Sequence, residues 1–400
     1  MALRDEVEKL LLEQGAVSVG FATKKTLEGG PPTTDMTYIL PEAETVICFA
    51  VPLDKSKIRA YLGKKLPRGR FDHVIDRGDA YLKAYKFARI ASDFLEERGY
   101  KSAPVFNNFK YREEDPDWRS KMPPLLALRW IAARSGIGSI GWSGNIIVKE
   151  YGATVLLGAL VTSVKLYPTD PIPAEESPCD KCKLCVQVCG FRMFSNKEED
   201  SFTLGGYTFS FAKRNNVIRC YTVCGGYSGL DKTGEWSTWS PGRTPYPETE
   251  DDADRTFAHL FTHPIKKFRL KGEKGSFAES KLLKDDIARE FISSGEVASN
   301  TFTENFITTC GACHLICWGN HNETLENSKL LMNSGCVVTD ENGDNIIVSS
   351  EKAKELEKAG KLNSPYEESS VARRNVENSV MEVFKRLRKE KNVIKFSMDL

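Results

Sequence analysis

The sequence of 400 residues lacks any long apolar run and has almost no net charge. No stretch reaches the roughly 18 consecutive apolar residues that a membrane span requires, so we expect no membrane partner. Lys and Arg total 56 against 55 Asp and Glu, which leaves a formal net charge of +1. This balance predicts no overall attraction to nucleic acid. The charged start MALRDEVEK has no apolar signal region behind it, so a cytoplasmic location is expected.

Cysteine is scarce, but its spacing is informative. Eleven cysteines in 400 residues are too few for a secreted disulfide scaffold. Four of them form an unbroken C-x2-C-x2-C-x3-C run: Cys179, Cys182, Cys185 and Cys189. This run is typical of proteins with two [4Fe-4S] clusters, in which the last cysteine ligates the other cluster. A zinc site uses paired C-x2-4-C spacings, so the third and fourth cysteines would be superfluous for zinc.

A second set of cysteines is therefore expected, and it lies downstream. Cys310, Cys313 and Cys317 repeat the end of the pattern in CGACHLIC. Ferredoxin topology assigns four ligands to the first cluster, namely Cys179, Cys182, Cys185 and Cys317. The second cluster takes Cys189, Cys310, Cys313 and one upstream cysteine, either Cys220 or Cys224. The two remaining thiols, Cys48 and Cys336, are predicted to be buried core residues.

Apolar patterning predicts a mixed α/β fold for residues 1–170. The segment TVICFAVP at residues 45–52 is a fully buried strand, and residues 79–98 keep a helical period that ends at Gly99. A second helix is predicted at residues 124–134. After it, IIVKEYGATVLLGALVT is expected to form a hairpin of buried strands around Tyr151 and Gly152. A proline-rich connector follows near Pro168.

A glycine series separates that second helix from the strands. Gly136, Gly138 and Gly141 spell G-x-G-x-x-G, and Gly144 follows. A dinucleotide fingerprint follows a strand and opens a helix, whereas this series follows a helix and opens strands. The context argues against a nicotinamide cofactor. It favours a loop that brings bare backbone close to a flat cofactor.

The rest of the chain divides at the cysteines. Residues 171–224 and 306–335 are predicted to form the two-cluster domain. Residues 225–305 are longer than an ordinary connection, and they are interpreted either as a lid or as a surface excursion packed on the cluster domain. Residues 336–400 are expected to form a helical tail. The histidines His73, His259, His263 and His321 show no metal pattern, and His314 is expected to tune a cluster potential.

The ordered motifs resemble a known superfamily. ARSGIGSIGWSGNIIVKEYGATVLLGALVT, PCDKCKLCVQVCG, IRCYTV and CGACHLICWGN occur in that order and resemble the core of the epoxyqueuosine reductases and reductive dehalogenases. The resemblance implies a nitroreductase-like cobalamin-binding domain fused to a bacterial two-[4Fe-4S] ferredoxin-like domain. It implies base-off cobalamin as the electron acceptor and favours Cys220 over Cys224 as the fourth ligand of the second cluster. The implied cobalamin-binding residues are Gly136, Gly138, Gly141, Gly144, Asn145, Tyr151 and Gly152.

The sequence departs from the resembling reductases in four respects. Their presumed proton-donating aspartate is replaced by Met122. Gly190 and Trp318 stand where proline follows the last cysteine of each motif. A helical-repeat region after the clusters is absent, which argues against tRNA as the substrate, and residues 225–305 have no counterpart.

A replacement proton donor is therefore needed. Tyr111 is the candidate donor and Arg112 the candidate that orients an anionic substrate, beside Asn107 and Asn108 in APVFNNFKYRE. The plainer interpretation is a surface loop with one structural tyrosine.

The predicted function is an iron-sulfur oxidoreductase that passes single electrons through two clusters to cobalamin for reduction of a small molecule. One alternative is an electron-transfer protein that activates a corrinoid on a partner protein. Another is a flavin-dependent or cofactor-free redox partner. The expected electron donor is a ferredoxin or flavodoxin, and no nucleic acid is expected.

Overall fold

The computed structural model describes residues 2–105, 110–114, 118, 123–266, 269–274, 284–287, 289 and 309–389. It shows a mixed fold of helices and sheets. Tyr111 and Arg112 lie within the described residues, whereas Asn107, Asn108 and Met122 lie outside them. Among the described residues, no helix combines the length and the apolar character that crossing a membrane would require.

The central sheet has four antiparallel strands in the order β1-β2-β6-β3. These are β1 (Ser18–Thr23), β2 (Thr45–Pro52), β3 (Ser102–Val105) and β6 (Val155–Thr162). Strand β2 is buried on both faces, because Val46, Cys48 and Ala50 enter one apolar cluster and the alternate residues enter another. Cys48 is therefore the core cysteine that the sequence predicted.

Helices cover both faces of this sheet. Helices α1 (Leu3–Gln14), α2 (Lys55–Gly63) and α3 (Arg68–Glu96) contribute to one apolar cluster, and α4 (Leu128–Arg134) contributes to the other. Helix α3 begins eleven residues before the predicted start at residue 79. The earlier turns carry polar and charged residues that obscure the helical period, and several of these face the site described below.

Short elements carry the cysteines. Strands β4 (Ser139–Ile140) and β5 (Ile146–Ile147) form a small hairpin from the glycine series. Helix α5 (Leu184–Gln187), the hairpin of β7 (Phe194–Leu204) and β8 (Tyr207–Arg214), and α6 (Val217–Cys224) follow. Beyond them lie α7 (Glu250–Thr262), α8 (Ala312–Leu315) and α9 (His321–Met332).

Two predictions about local structure are wrong. The strands on either side of Tyr151 and Gly152 do not pair with each other, because β5 pairs with β4 and β6 pairs with β2 and β3. Residues 336–348 are not helical: β9 (Cys336–Thr339) and β10 (Asn345–Val348) form a hairpin around an Asn-Gly turn. Helices α10 (Ser350–Lys358) and α11 (Val371–Lys389) follow this hairpin.

The described part of residues 225–305 packs into the protein interior. Trp236 and Trp239 are almost fully buried, and the Trp239 indole donates a hydrogen bond to the Tyr61 carbonyl oxygen in α2 at 3.0 Å. Further along, the buried Glu273 carboxylate accepts two hydrogen bonds from the buried Arg70 guanidinium in α3. These contacts hold residues 225–266 and 269–274 against helices α2 and α3. A lid formed by the rest of the segment stays a prediction.

Candidate functional site

The first thiol group comprises Cys179, Cys182, Cys185 and Cys317. All four line one small cavity, together with Trp142 and His321. The backbone at Lys181 and Lys183 adopts left-handed conformations, with φ of 54° and 62°, and these turns coil the loop around the cavity. The Trp142 amide donates to the Cys179 sulfur at 3.4 Å. The arrangement brings together the four thiols assigned to the first cluster.

The second thiol group comprises Cys189, Cys220, Cys310 and Cys313. Three of these line a larger cavity, and Cys189 packs in the same apolar cluster as Cys220 and Cys313. The Met193 amide donates to the Cys189 sulfur at 3.2 Å, and the Asn145 side-chain amide donates to the Cys313 sulfur at 3.9 Å. Short helices α5 and α8 pack against each other, so the two thiol groups are neighbours.

Cys224 is a fifth thiol beside the second group. Its sulfur lies 3.5 Å from the Cys220 sulfur, one turn away on α6, and Cys224 also lines the larger cavity. Cys220, unlike Cys224, packs with Cys189, Cys313 and the apolar residues between the two groups. The choice of Cys220 as a ligand stays a prediction, and Cys224 is the neighbouring thiol that faces the cavity.

Burial shifts the acidity of these thiols. It raises the pKa of Cys189 and Cys317 to about 12, and it raises the pKa of Cys185 further. A bound metal centre reverses this preference, because thiolates are the ligand form and metal binding releases their protons. The donor set therefore fits two thiolate-held iron-sulfur clusters.

A buried cation lies beside the second group. Arg214 is 7% exposed, and its guanidinium fills the space that a side chain at Gly144 would occupy, since a Cβ there would lie 2.9 Å from the Arg214 Nη2 atom. Burial lowers the pKa of Arg214 to about 10, while its interactions with Cys220 and Cys313 act in the opposite direction. A positive charge at this place stabilises an added electron on an adjacent cluster.

The larger cavity has a volume of about 240 Å³. Its apolar wall is formed by the residues Leu126, Leu128, Ile146, Ala153, Val155, Leu156, Leu157 and Leu315. Arg129 and Asn145 add polar groups, and the second thiol group forms one boundary. A few convergent polar groups in an apolar pocket are typical of a small-molecule site.

One face of α3 forms the polar wall of this cavity. His73, Arg77 and Tyr81 are spaced four residues apart, and all three line it. The Arg77 guanidinium donates to the Tyr81 hydroxyl at 3.3 Å, and Tyr81 raises the pKa of Arg77. His73 is 1% exposed, and its ring nitrogens have no hydrogen-bond partner among the described residues. Burial lowers the pKa of His73 to about 3, so its imidazole is neutral.

Sequence reasoning missed these three residues. Their i, i+4, i+8 spacing was the available signal, but His73 and Arg77 lie in the turns of α3 that the apolar pattern did not predict, and Tyr81 lies near the start of the helix predicted at residues 79–98. His314 also lines the cavity, and its Nε2 atom lies 3.2 Å from the Val155 carbonyl oxygen. Burial lowers the pKa of His314 to about 4.

The glycine series contacts protein rather than the cavity. A Cβ at Gly138 would lie 2.6 Å from the Ile147 carbonyl oxygen, and one at Gly136 would lie 2.4 Å from that of Asp170. At Gly152 it would lie 2.2 Å from the Trp318 Cα atom. The bare backbone at these positions permits close packing of the chain on itself. Of the residues assigned to cobalamin, Asn145 lines the larger cavity, and cobalamin binding by the others stays a prediction.

The two predicted catalytic residues lie beside each other but differ in setting. Burial first, and Tyr81 second, raise the pKa of Tyr111 to about 12, and its ring stacks 6.3 Å from that of Trp118. The Arg112 guanidinium donates to the carbonyl oxygens of Leu125 and Asp35. These bonds give Arg112 a structural role in anchoring its loop. A role of either residue in catalysis stays a prediction.

Searches for similar proteins confirm the predicted resemblance. No family model matches the chain. An epoxyqueuosine reductase of Atelocyanobacterium thalassa (isolate ALOHA) is 25% identical over 180 residues, which is 44% of this chain and 51% of that protein. The chain thus spans about half the length of the curated relatives that it matches over this stretch. It is a divergent relative of proteins named as reductases, in agreement with the predicted oxidoreductase class.

Two solved structures illustrate the structural likeness. The catabolic reductive dehalogenase NpRdhA in complex with 3-bromo-4-hydroxybenzoic acid gives a TM-score of 0.42 at 12% identity, covering 90% of this chain and 39% of that one. An epoxyqueuosine reductase with a tRNA-Tyr epoxyqueuosine-modified stem loop gives a TM-score of 0.40 at 15% identity. This match covers 96% of this chain and 99% of that one. The latter overturns the expectation that no nucleic acid is a partner. A net charge near zero does not exclude a local RNA-binding surface.

Proposed function

We propose that this chain is an iron-sulfur oxidoreductase that delivers single electrons through two [4Fe-4S] clusters to an acceptor in the 240 Å³ cavity. The observation that carries the proposal is the shared boundary: Cys220, Cys310 and Cys313 line the cavity that His73, Arg77 and Tyr81 also line. An electron entering the second cluster is therefore next to the acceptor. A simple electron carrier needs no such cavity beside its inner cluster, which favours an enzyme.

The first thiol group provides the entry side. Asp180 and His321, which flank its cavity, are exposed, and Lys183 lies 4.4 Å from the Trp142 ring above it. A ferredoxin-like or flavodoxin-like donor docking here would meet the first cluster before the second. In the proposed domain fusion, the ferredoxin-like unit holds both cysteine groups, and the nitroreductase-like unit contributes to the acceptor cavity next to the second group.

Cobalamin is the proposed acceptor, and the described residues fit part of it. The apolar wall and the polar face of α3 suit one face of a flat ring. Bound there, cobalamin would supply a strongly reducing cobalt centre. The chain's own residues exclude water from the apolar wall and present donors opposite it.

Tyr81 is the proposed proton donor. A two-electron reduction of a carbon-halogen or carbon-oxygen bond consumes one proton and releases the halide or oxygen leaving group. The Arg77 guanidinium, 3.3 Å from the Tyr81 oxygen, stabilises the phenolate that forms when Tyr81 donates. Burial instead disfavours the phenolate of Tyr111. Neutral His73 can donate one hydrogen bond to a polar substrate group.

A paired substitution tests this role. The protein is prepared with both clusters reconstituted and reduced. Two acceptors are then tested, a halogenated phenol and an epoxyqueuosine-containing stem loop. Reoxidation of the clusters and formation of product are both measured. Tyr81→Phe is expected to slow product formation by about 10²-fold or more, because a positioned acid contributes that much. Tyr111→Phe is the matched control. An equal or larger loss in Tyr111→Phe would return the proton-donor role to Tyr111.

Cobalamin itself is tested separately by absorbance titration of the reconstituted protein. The proposal expects a spectral change and a higher melting temperature in micromolar cobalamin. Gly138→Val is unsuitable as a probe, because its side chain would collide with the backbone of β5. Leu157→Trp in the cavity wall is expected to block binding while leaving the iron content unchanged. If the unsubstituted chain gives no response, cobalamin is excluded as the acceptor. The second cluster would then reduce a small molecule in the cavity directly.

A further inference from the structure

Two histidines and a glutamate converge far from the cysteines, between helices α7 and α11. His259 lies in the last turn of α7, His263 follows the end of this helix, and Glu377 lies on α11. One ring nitrogen of each histidine and one Glu377 carboxylate oxygen lie within 4.8 Å of one another. The i, i+4 spacing of the histidines places both on one side of α7, and their rings stack at 4.2 Å.

The ring of His263 is fixed by a hydrogen bond through one nitrogen, and its other nitrogen is left without a partner among the described residues. It is 3% exposed, and its Nδ1 atom lies 2.7 Å from the His259 carbonyl oxygen. A carbonyl only accepts, so Nδ1 carries a hydrogen, and in the neutral ring Nε2 then carries the lone pair that a metal needs. Nε2 is buried and has no hydrogen-bond partner in the part of the chain that the structure describes. Metal-binding histidines commonly donate their second ring N-H to a carbonyl in this way.

The separation of the donor atoms suits a small divalent ion. The His259 Nδ1 and Glu377 Oε2 atoms are 3.4 Å apart. Ligand atoms bound tetrahedrally to zinc at about 2.0–2.2 Å lie about 3.3–3.6 Å from each other. Two imidazoles and one carboxylate form a set that zinc accepts, with water in the fourth position. The nearby Arg373 guanidinium is countered by Glu367 and by the Thr262 carbonyl oxygen.

We propose that His259, His263 and Glu377 bind one zinc ion that fastens α11 to α7. Aromatic packing already joins the two helices, since the Phe257 and Phe384 rings lie 5.7 Å apart. Helix α7 is joined in turn to α6, because the Asn216 side-chain amide donates to the Asp254 carboxylate at 3.1 Å. The zinc therefore stabilises the outer support of the helix that carries Cys220 and Cys224. This site is independent of the proposed redox function.

Metal analysis of the untagged chain with both clusters reconstituted tests the proposal. After equilibration with micromolar zinc and dialysis, the chain is expected to retain one zinc in addition to its iron. His263→Ala and Glu377→Gln are expected to weaken retention by about tenfold or more. Glu382→Gln, an exposed change on the same helix, is the matched control and is expected to retain the zinc.

A second measurement does not depend on the His263 variant folding. Zinc is expected to raise the melting temperature of the unsubstituted chain in a concentration-dependent way and to have no such effect on Glu377→Gln. Constant iron content shows that zinc has not replaced iron at the cysteines. Absence of retained zinc in the unsubstituted chain, or retention in both ligand variants equal to that of the unsubstituted chain, would overturn the proposal.

Discussion

The two thiol groups differ in how the chain assembles them. Three members of the first group come from one loop of seven residues, 179–185, and only Cys317 is distant. The second group draws on the loop, on α6 and on the segment around α8, and it has a fifth thiol, Cys224, within 3.5 Å of Cys220. A locally encoded site can be predicted from spacing, whereas an assembled one depends on packing that spacing does not reveal.

Their surroundings differ as well. The first group lies near the exposed side chains of Asp180 and His321 and the half-buried side chain of Lys183. The second adjoins the buried cation Arg214 and a cavity with a neutral His73. This difference suits an exposed entry cluster and an enclosed cluster that serves the acceptor. The following predictions test it, beginning with the largest effect.

Substitution of Cys220 and of Cys224 shows which of these two thiols is a ligand of the second cluster. Cys220→Ser is expected to remove the second cluster and leave the first, because Cys220 packs with Cys189 and Cys313. Cys224→Ser should keep both clusters. Iron content and low-temperature electron paramagnetic resonance measure the outcome. The reverse pattern would make Cys224 the ligand and Cys220 the thiol that binds no iron.

Acid sensitivity is expected to arise on the side of the second group. The folded-state pKa of His73, about 3, lies below its ordinary value of 6.5, so the folded state binds fewer protons between these values. The contribution of His73 to the free energy of unfolding is fully present above pH 6.5 and decreases as the pH falls toward 3. At pH 5.5 this residue has lost about 1 kcal/mol of that contribution.

The variant His73→Phe isolates that contribution. The free energy of unfolding is measured at pH 7.5 and pH 5.5, and the variant is expected to lose about 1 kcal/mol less than the unsubstituted chain. His314 and Arg77, which face His73, are present in both proteins and cancel in the comparison. Equal pH dependence in the two proteins would show that His73 is not buried in a neutral form.

A charged residue near one thiol group is expected to shift the reduction potential of the cluster in that group more than the potential of the other cluster. Arg214→Gln is expected to shift the potential of the second cluster negatively, on the order of tens of mV, because a buried positive charge beside it is lost. Lys183→Gln, on the exposed side of the first group, should produce a smaller shift owing to solvent screening. Redox titration monitored by electron paramagnetic resonance compares them. A larger shift in the lysine variant would contradict the assigned surroundings.

The sequence was sufficient where a pattern is local and complete. Strand β2 was predicted with its observed bounds, because a fully buried strand is a continuous apolar run. The C-x2-C-x2-C run likewise identified three thiols that the structure places around one cavity. The Asn-Gly turn is a local signal for the hairpin at residues 336–348, but the charged residues that follow the hairpin are typical of a helical tail.

The remaining features depend on tertiary structure. The first turns of α3 carry His73 and Arg77 on a face turned toward the cavity, so the helix lacked its expected apolar stripe there. His259 and His263 show no metal pattern in the sequence, because Glu377, the third group near them in the structure, lies more than a hundred residues away along the chain. The glycine series permitted two physical explanations, and only the surrounding atoms distinguish close chain packing from an open cofactor surface.

The central claim is that the two thiol groups hold two separate clusters. Anaerobic reconstitution followed by iron analysis and electron paramagnetic resonance tests it most directly, using the unsubstituted chain, Cys182→Ser and Cys313→Ser. We expect about eight iron atoms in the unsubstituted chain, loss of only the first cluster signal in Cys182→Ser and loss of only the second in Cys313→Ser. About four iron atoms in the unsubstituted chain, or zinc in place of iron at the cysteines, would contradict the claim.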